Sequence, residues 1–149
     1  MEKSCFMFGH STCPDVMLPI LEASVKQHYD SGARYFYVGH RGSFDSLAAT
    51  AVKRLKEEHP EVRLLLVLSY HPAERAVDLW PGFDDSFYPP LEGVPRQYAI
   101  VRSNQYMIDT ADSIICYAKH PGNARNFWEY ALRRKKKDNI VVDNIADIF

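Results

Sequence analysis

The sequence predicts an α/β fold: a Rossmann-like, doubly wound, mainly parallel five-stranded sheet with helices on both faces. Three observations lead there. Short apolar runs alternate with stretches of helical period along the chain. The run at 62–69, Val-Arg-Leu-Leu-Leu-Val-Leu-Ser, is almost continuously apolar, as a parallel strand covered on both faces must be. The 149 residues, 46% hydrophobic and 25% charged, suit one globular domain with a real core.

In order, residues 4–8 (Ser-Cys-Phe-Met-Phe) read as a first strand ending at Gly9-His10-Ser11. A helix is expected over 16–31, with Pro14 and Asp15 at its start, Val16, Ile20, Leu21, Ala23 and Val25 facing the core, and Gly32 at its end. The second strand, 34–38, breaks at Gly39. The second helix, 44–58, has Leu47, Ala48, Ala51, Val52 and Leu55 at helical spacing. Pro60 separates it from the third strand, 62–69. Residues 70–94 interrupt the pattern. Pro72, Pro81, Pro89 and Pro90 stand among Trp80, Phe83, Phe87 and Tyr88, either as a binding loop or as an irregular segment patching the core. A helix follows over 95–110, with Tyr98, Val101, Tyr106 and Ile108 as candidate buried positions. A fourth strand at 113–118, a helix over 126–136 and a fifth strand at 139–143 complete the chain.

Composition narrows the function classes. A net charge of −1 argues against a nucleic-acid binder that works by bulk charge. The basic run 133–137 reads as a solvated helix end, with a nucleic-acid patch as the alternative. No segment approaches the roughly 20 apolar residues of a membrane span, and no apolar run follows Met1-Glu2-Lys3, so neither membrane nor signal peptide is expected. Three cysteines without a CxxC pair favour neither a disulfide framework nor a zinc ribbon, and fit a reducing cytoplasm.

Parallel strands place all their C-terminal ends on one edge of the sheet, where such folds hold ligands. The segments predicted to meet there are Gly9-His10-Ser11, Gly39-His40-Arg41-Gly42-Ser43, Tyr70-His71 and His120-Pro121-Gly122-Asn123. Gly39 and Gly42 permit unusual backbone angles, and Ser43 is a natural N-cap for the helix that follows. The amides of such a helix start attract phosphate or carboxylate; an ordinary strand-to-helix turn is the alternative. Pro121-Gly122-Asn123-Ala124 is a second candidate phosphate cradle, with Asn123 or Asn126 as cap. His10, His40, His71 and His120 fall at this rim, as anion contacts, as loop residues without a shared role, or as metal ligands; no HxH or HxxxH spacing supports the last. His28 and His59 read as surface residues.

These motifs resemble the SLOG superfamily of Rossmann-like proteins, which joins the DprA/Smf, LOG and YpsA-like groups, and most of all its YpsA-related branch. The residues carrying the resemblance are Gly9-His10-Ser11; Gly39-His40-Arg41-Gly42-Ser43-Phe44-Asp45 with Ala48-Ala49; Ser69-Tyr70; Arg102-Ser103-Asn104 leading to Met107-Ile108-Asp109 and Asp112; and Gly122-Asn123-Ala124 before Tyr130-Ala131. His40 and Ser43 stand where the family has glycines, Asn123 and Ala124 where it has Gly-Thr, and Ser11 where it has arginine.

The resemblance implies binding of a nucleotide or an ADP-ribose-like ligand in a sensing or regulatory role. Arg41 and Ser43 would meet phosphate, Asp45 would cap or hydrogen-bond, and Arg102 and Asn104 would contact the ligand. No other cofactor is implied, and a homodimer is. Two alternatives accompany this reading. One is a LOG-like nucleoside monophosphate N-glycosidase, with Glu129 in register with that group's catalytic glutamate and Arg102 beside it. The other is a protein-interaction module with a degenerate pocket and an aromatic loop at 80–88.

Overall fold

β1 (Lys3–Gly9) serves two hydrophobic layers at once. Side chains alternate along a strand, so Cys5 and Met7 face one layer and Phe6 and Phe8 the other. A computed structural model describes residues 2–148. After β1, a short 3-10 turn (Asp15–Met17) leads into α1 (Leu18–Asp30), β2 (Ala33–Val38), α2 (Ser43–Glu58) and β3 (Arg63–Val67). There follow β4 (Asp85–Phe87), a 3-10 turn (Arg96–Tyr98), α3 (Ala99–Thr110), β5 (Ser113–Tyr117), α4 (Asn123–Asp138), β6 (Val141–Asn144) and a last 3-10 turn (Ile145–Ile148).

The six strands form one sheet in the order β4-β3-β2-β1-β5-β6, and every neighbouring pair is parallel. Leu21 and Val25 of α1 and Ala48 and Val52 of α2 pack with Met7, Phe36 and Leu64 on one face. Met107 and Ile108 of α3 and Phe127 and Ala131 of α4 pack with Phe6, Phe8 and Ile114 on the other. From β1 the chain steps outward through β2, β3 and β4. It then returns through α3 to lay β5 against the opposite side of β1. The strand order therefore reverses between β1 and β5, where an open α/β sheet leaves a crevice at its carboxyl edge.

The sheet has six strands rather than five. The extra one, β4, lies inside the irregular 70–94 segment, and three residues are too few to show alternation in sequence. It is fixed from both ends: the Asp84 amide donates to the Leu64 carbonyl at 2.8 Å and the Leu68 amide to the Phe87 carbonyl at 2.8 Å. Phe83 is buried in the core, so this segment is partly a patch and partly a strand. α4 begins at Asn123, three residues ahead of the expected start, after Gly122 with φ 147°, a conformation that favours glycine. Asn139, with φ 57°, closes it.

Four burial expectations are corrected. Ala23, expected on the core face of α1, is exposed, because the buried stripe of that helix falls on its neighbours Ser24 and Val25. Val16 is 75% exposed because it lies in the 3-10 turn, ahead of the α1 stripe formed by Leu21, Ser24, Val25 and His28. Tyr98 and Val101 are exposed; α3 turns Ala99, Ser103, Met107 and Ile108 inward instead. His28 is buried rather than superficial. Its Nδ1 lies 2.9 Å from Ser113 Oγ and its Nε2 3.6 Å from Asp143 Oδ2, a polar cluster at the amino edge of the sheet.

Candidate functional site

A cavity of about 510 Å³ opens at the carboxyl edge where the strand order reverses. It runs from that rim to the layer beneath α3 and α4. Phe6, Phe8, Val67, Ile100 and Phe127 give it apolar walls; His10, Ser11, Thr12, Arg41, Asp45, His120 and Asn123 give it polar ones. Its size and mixed lining are those of small-molecule sites. Loops that are distant in sequence meet here: those after β1, β2 and β5, with Ser69 after β3 and the first turns of α3.

His10 organises the β5–α4 turn. Its Nε2 accepts the Lys119 amide at 2.8 Å and the His120 amide at 3.2 Å. An amide can only donate, so this nitrogen is unprotonated and a neutral ring carries its proton on Nδ1. The ring stacks on His120 with centroids 3.7 Å apart and planes 5° from parallel. Burial, and then His120, hold the His10 pKa below its ordinary value.

On the β2 side, the Asp45 carboxylate reaches back from the first turn of α2, and its Oδ2 accepts the Arg41 amide at 2.9 Å. Burial pushes the Asp45 carboxyl up to about 6; the Arg41 amide and guanidinium offset this only in part. The two glycines of the turn are there for space rather than backbone angle. Gly42 has φ −164°, ordinary extended backbone, but a Cβ on it would meet Ser11 Cα at 2.5 Å. A Cβ on Gly39 would stand 3.0 Å from Asp45 Oδ2. Gly9 is needed for a similar reason, since its Cβ would strike the Phe44 ring.

Ser43 is not the N-cap of α2. That position is Gly42, and Ser43 is the first helical residue. Its hydroxyl is engaged inside the protein, accepting the Cys13 amide at 2.6 Å and facing the Ser11 and Cys13 carbonyls, while its amide donates to Ser11 at 2.8 Å. Ser43 thus ties the β1 and β2 loops together and does not line the cavity. Neither Asn123 nor Asn126 caps α4; Gly122 holds that place with no side-chain cap.

Of the residues singled out in sequence, the cavity brings together Gly9, His10, Ser11, Gly39, Arg41, Gly42, Asp45, Ser69, Asn104, His120, Pro121, Gly122, Asn123 and Ala124. It leaves out His40, Ser43, Phe44, Arg102 and Glu129. His40 sits beside the cavity, its pKa lowered by burial and by Arg41. His71 packs against Tyr88 and is not at the site. Arg102 is exposed. Glu129 is exposed and pairs with Arg125 at 3.7 Å. Helical phase explains both. Ile100, Ser103 and Asn104 set the inward face of α3, with Arg102 on the other side. Glu129 follows Phe127 by two residues, about 200° around α4.

Sequence reasoning missed Thr12, Ser103, His120's stack on His10 and the apolar walls. Only the Phe6-x-Phe8 alternation pointed toward the walls. Ser103 is fully buried, with its hydroxyl 2.9 Å from that of Ser69. The Asn104 amide nitrogen donates to Ile100 at 2.8 Å, which fixes the amide's orientation. Among the described residues, no three His, Cys, Asp or Glu side chains come together as metal ligands, and no helix is long and apolar enough to cross a membrane.

No protein-family model matches the chain, and no curated protein matches it in sequence.

Proposed function

We propose that this chain binds a nucleotide or a nucleotide-derived molecule of the ADP-ribose kind, in the manner of the SLOG proteins it resembles, and that it does so as a sensing or regulatory module. One observation carries the reading: the cavity at the strand-order reversal pairs apolar walls with a mouth where Arg41 and the amino ends of α2 and α4 converge. A planar base suits the walls formed by Phe8, Ile100 and Phe127. An anionic group suits the mouth beside Arg41 and the amino end of α4, which carries no side-chain cap and presents the positive end of a helix dipole, whereas the α2 start already has Asp45 in its first turn and its Ser43 amide on Ser11. Asp45 is the single carboxylate among the lining residues. Glu129 is not among them, so N-glycosidase chemistry centred on Glu129 has no support in the geometry.

Thermal unfolding with AMP, ADP and ADP-ribose, and with inorganic phosphate as control, tests the proposal. A ligand at 100 times its Kd stabilises the fold by about 2.7 kcal/mol, a rise of roughly 5–10 °C for a chain of this size. Arg41→Ala is expected to weaken nucleotide binding about tenfold or more, a charge-assisted contact being worth roughly 1.5–3 kcal/mol. Glu129→Gln is expected to leave it unchanged. Absence of a shift with every nucleotide, at concentrations up to several millimolar, would refute the reading.

A further inference from the structure

We infer that Tyr70, Arg75 and Arg96 form a second anion subsite beside the mouth of the cavity, which makes the protein select nucleotides carrying a diphosphate over monophosphates. This rests on the nucleotide reading above and names the class of nucleotide. Two guanidinium groups lie over the Tyr70 ring, that of Arg75 4.6 Å and that of Arg96 5.2 Å from its centroid. Arg75 comes from the beginning of the irregular segment, and Arg96 from the 3-10 turn just after its end. Both stretches run on into the cavity wall, since Tyr70 follows Ser69 and Arg96 lies four residues before Ile100. The hydroxyls of Ser69 and Ser103, 2.9 Å apart, join the two stretches. The turn that carries Arg75 is itself fixed. The His71 carbonyl accepts the Glu74 amide at 2.9 Å and the Arg75 amide at 3.0 Å, and His71 Nδ1 accepts the Ala73 amide at 3.0 Å.

A ring face orients a guanidinium without neutralising it. Glu74 pairs with Arg96, whereas Arg75 has no ion pair among the described residues. One carboxylate against two guanidinium groups leaves the cluster positive. His40, between the lining residues Gly39 and Arg41, connects this charge to the cavity. Burial lowers its pKa most, but the charges of Arg41 and Arg75 both lower it further, so both act on one imidazole. A first phosphate has Arg41 and the start of α4. A second, bonded to it, is repelled on the Asp45 side and finds further guanidinium groups on the side of Arg75 and Arg96.

Calorimetric titration of the intact protein with AMP, ADP and ADP-ribose tests the inference, at pH 7.5, fixed ionic strength and without divalent cations. ADP is expected to bind about tenfold more tightly than AMP, the yield of a charge-assisted contact near the surface. ADP-ribose equal to ADP would assign the subsite to a bridging diphosphate, and ADP-ribose equal to AMP to a terminal one; either supports the inference. The ratio of ADP to AMP affinity should fall below twofold in Arg75→Gln and in Arg96→Gln. Both side chains are exposed, and the two variants are made separately, so a folding defect in one does not obscure the result. AMP and ADP binding within twofold of one another by the natural chain, or a tenfold preference that survives in both variants, overturns the inference and leaves the nucleotide reading standing. Absence of binding by AMP, ADP and ADP-ribose alike overturns the nucleotide reading, and this inference with it.

Discussion

Asp45 and His10 carry opposite pH signatures. The folded pKa of Asp45, about 6, lies above that of an unfolded aspartate, so the folded state holds this proton more tightly. Its charged form costs stability at pH 8, and the cost disappears as pH falls from about 7 toward 4. Asp45→Asn keeps an oxygen for the Arg41 amide and removes the charge. It is expected to stabilise the protein at pH 8 by about 1–3 kcal/mol, with no gain at pH 4, as read by denaturant unfolding at both pH values. His10 has a lowered folded pKa, so its contribution is present above about 6.5 and is lost as pH falls through that value. His10→Ala also removes the acceptor of two amides, and a loss of about 2–3 kcal/mol at pH 7.5 is expected. The fall in stability between pH 7 and 5 should be shallower in that variant than in the natural chain. A residue that lowers stability where it stands while lining a cavity is in the position expected of a ligand-contacting group.

At the scale of elements, the site depends on how closely the β1 loop approaches the start of α2. Gly42 lets the Ser11 backbone come within contact distance, and Ser43 then fastens the two segments by hydrogen bonds. Gly42→Ala forces a Cβ into that backbone, and a loss of about 2 kcal/mol or more is expected. Gly122→Ala places a side chain in open space but at φ 147°, so its cost is backbone strain alone, about 1–2 kcal/mol. Unfolding of the two variants side by side separates close approach from backbone angle. A larger effect at Gly122 than at Gly42 would contradict the account given for the two turns.

For the whole molecule, the irregular segment 70–94 supplies the edge strand and so determines where the sheet ends. Asp84 anchors that edge. Its Oδ2 accepts the Leu64 amide at 2.8 Å and Lys56 Nζ at 2.5 Å. Burial works against its charge, but Lys56 and the Leu64 amide outweigh it and hold the carboxyl below its usual value. Asp84→Ala should cost about 1–3 kcal/mol by leaving the Leu64 amide without that acceptor. It should also speed amide hydrogen exchange in β3 and β4 before β1 and β5, which lie in the middle of the sheet. Uniform exchange across all six strands would show that the edge is not a separate unit.

The sequence by itself determined the alternation of strands and helices, the parallel sheet with its two covered faces, and the turns that gather at its carboxyl edge. These follow from local period and turn chemistry, which a single segment carries within itself. Only the tertiary structure decided which side chains at that edge face one cavity. Ser43 is turned to Cys13 and Ser11, Glu129 and Arg102 lie outside the cavity, and Gly42 is small because of Ser11, thirty-one residues earlier in the chain. β4 likewise became visible only through its pairing with β3. The physical reason is the same in each case. Helical phase and close backbone approach are set by partners remote in sequence, and no pattern within one segment encodes what another segment will bring against it.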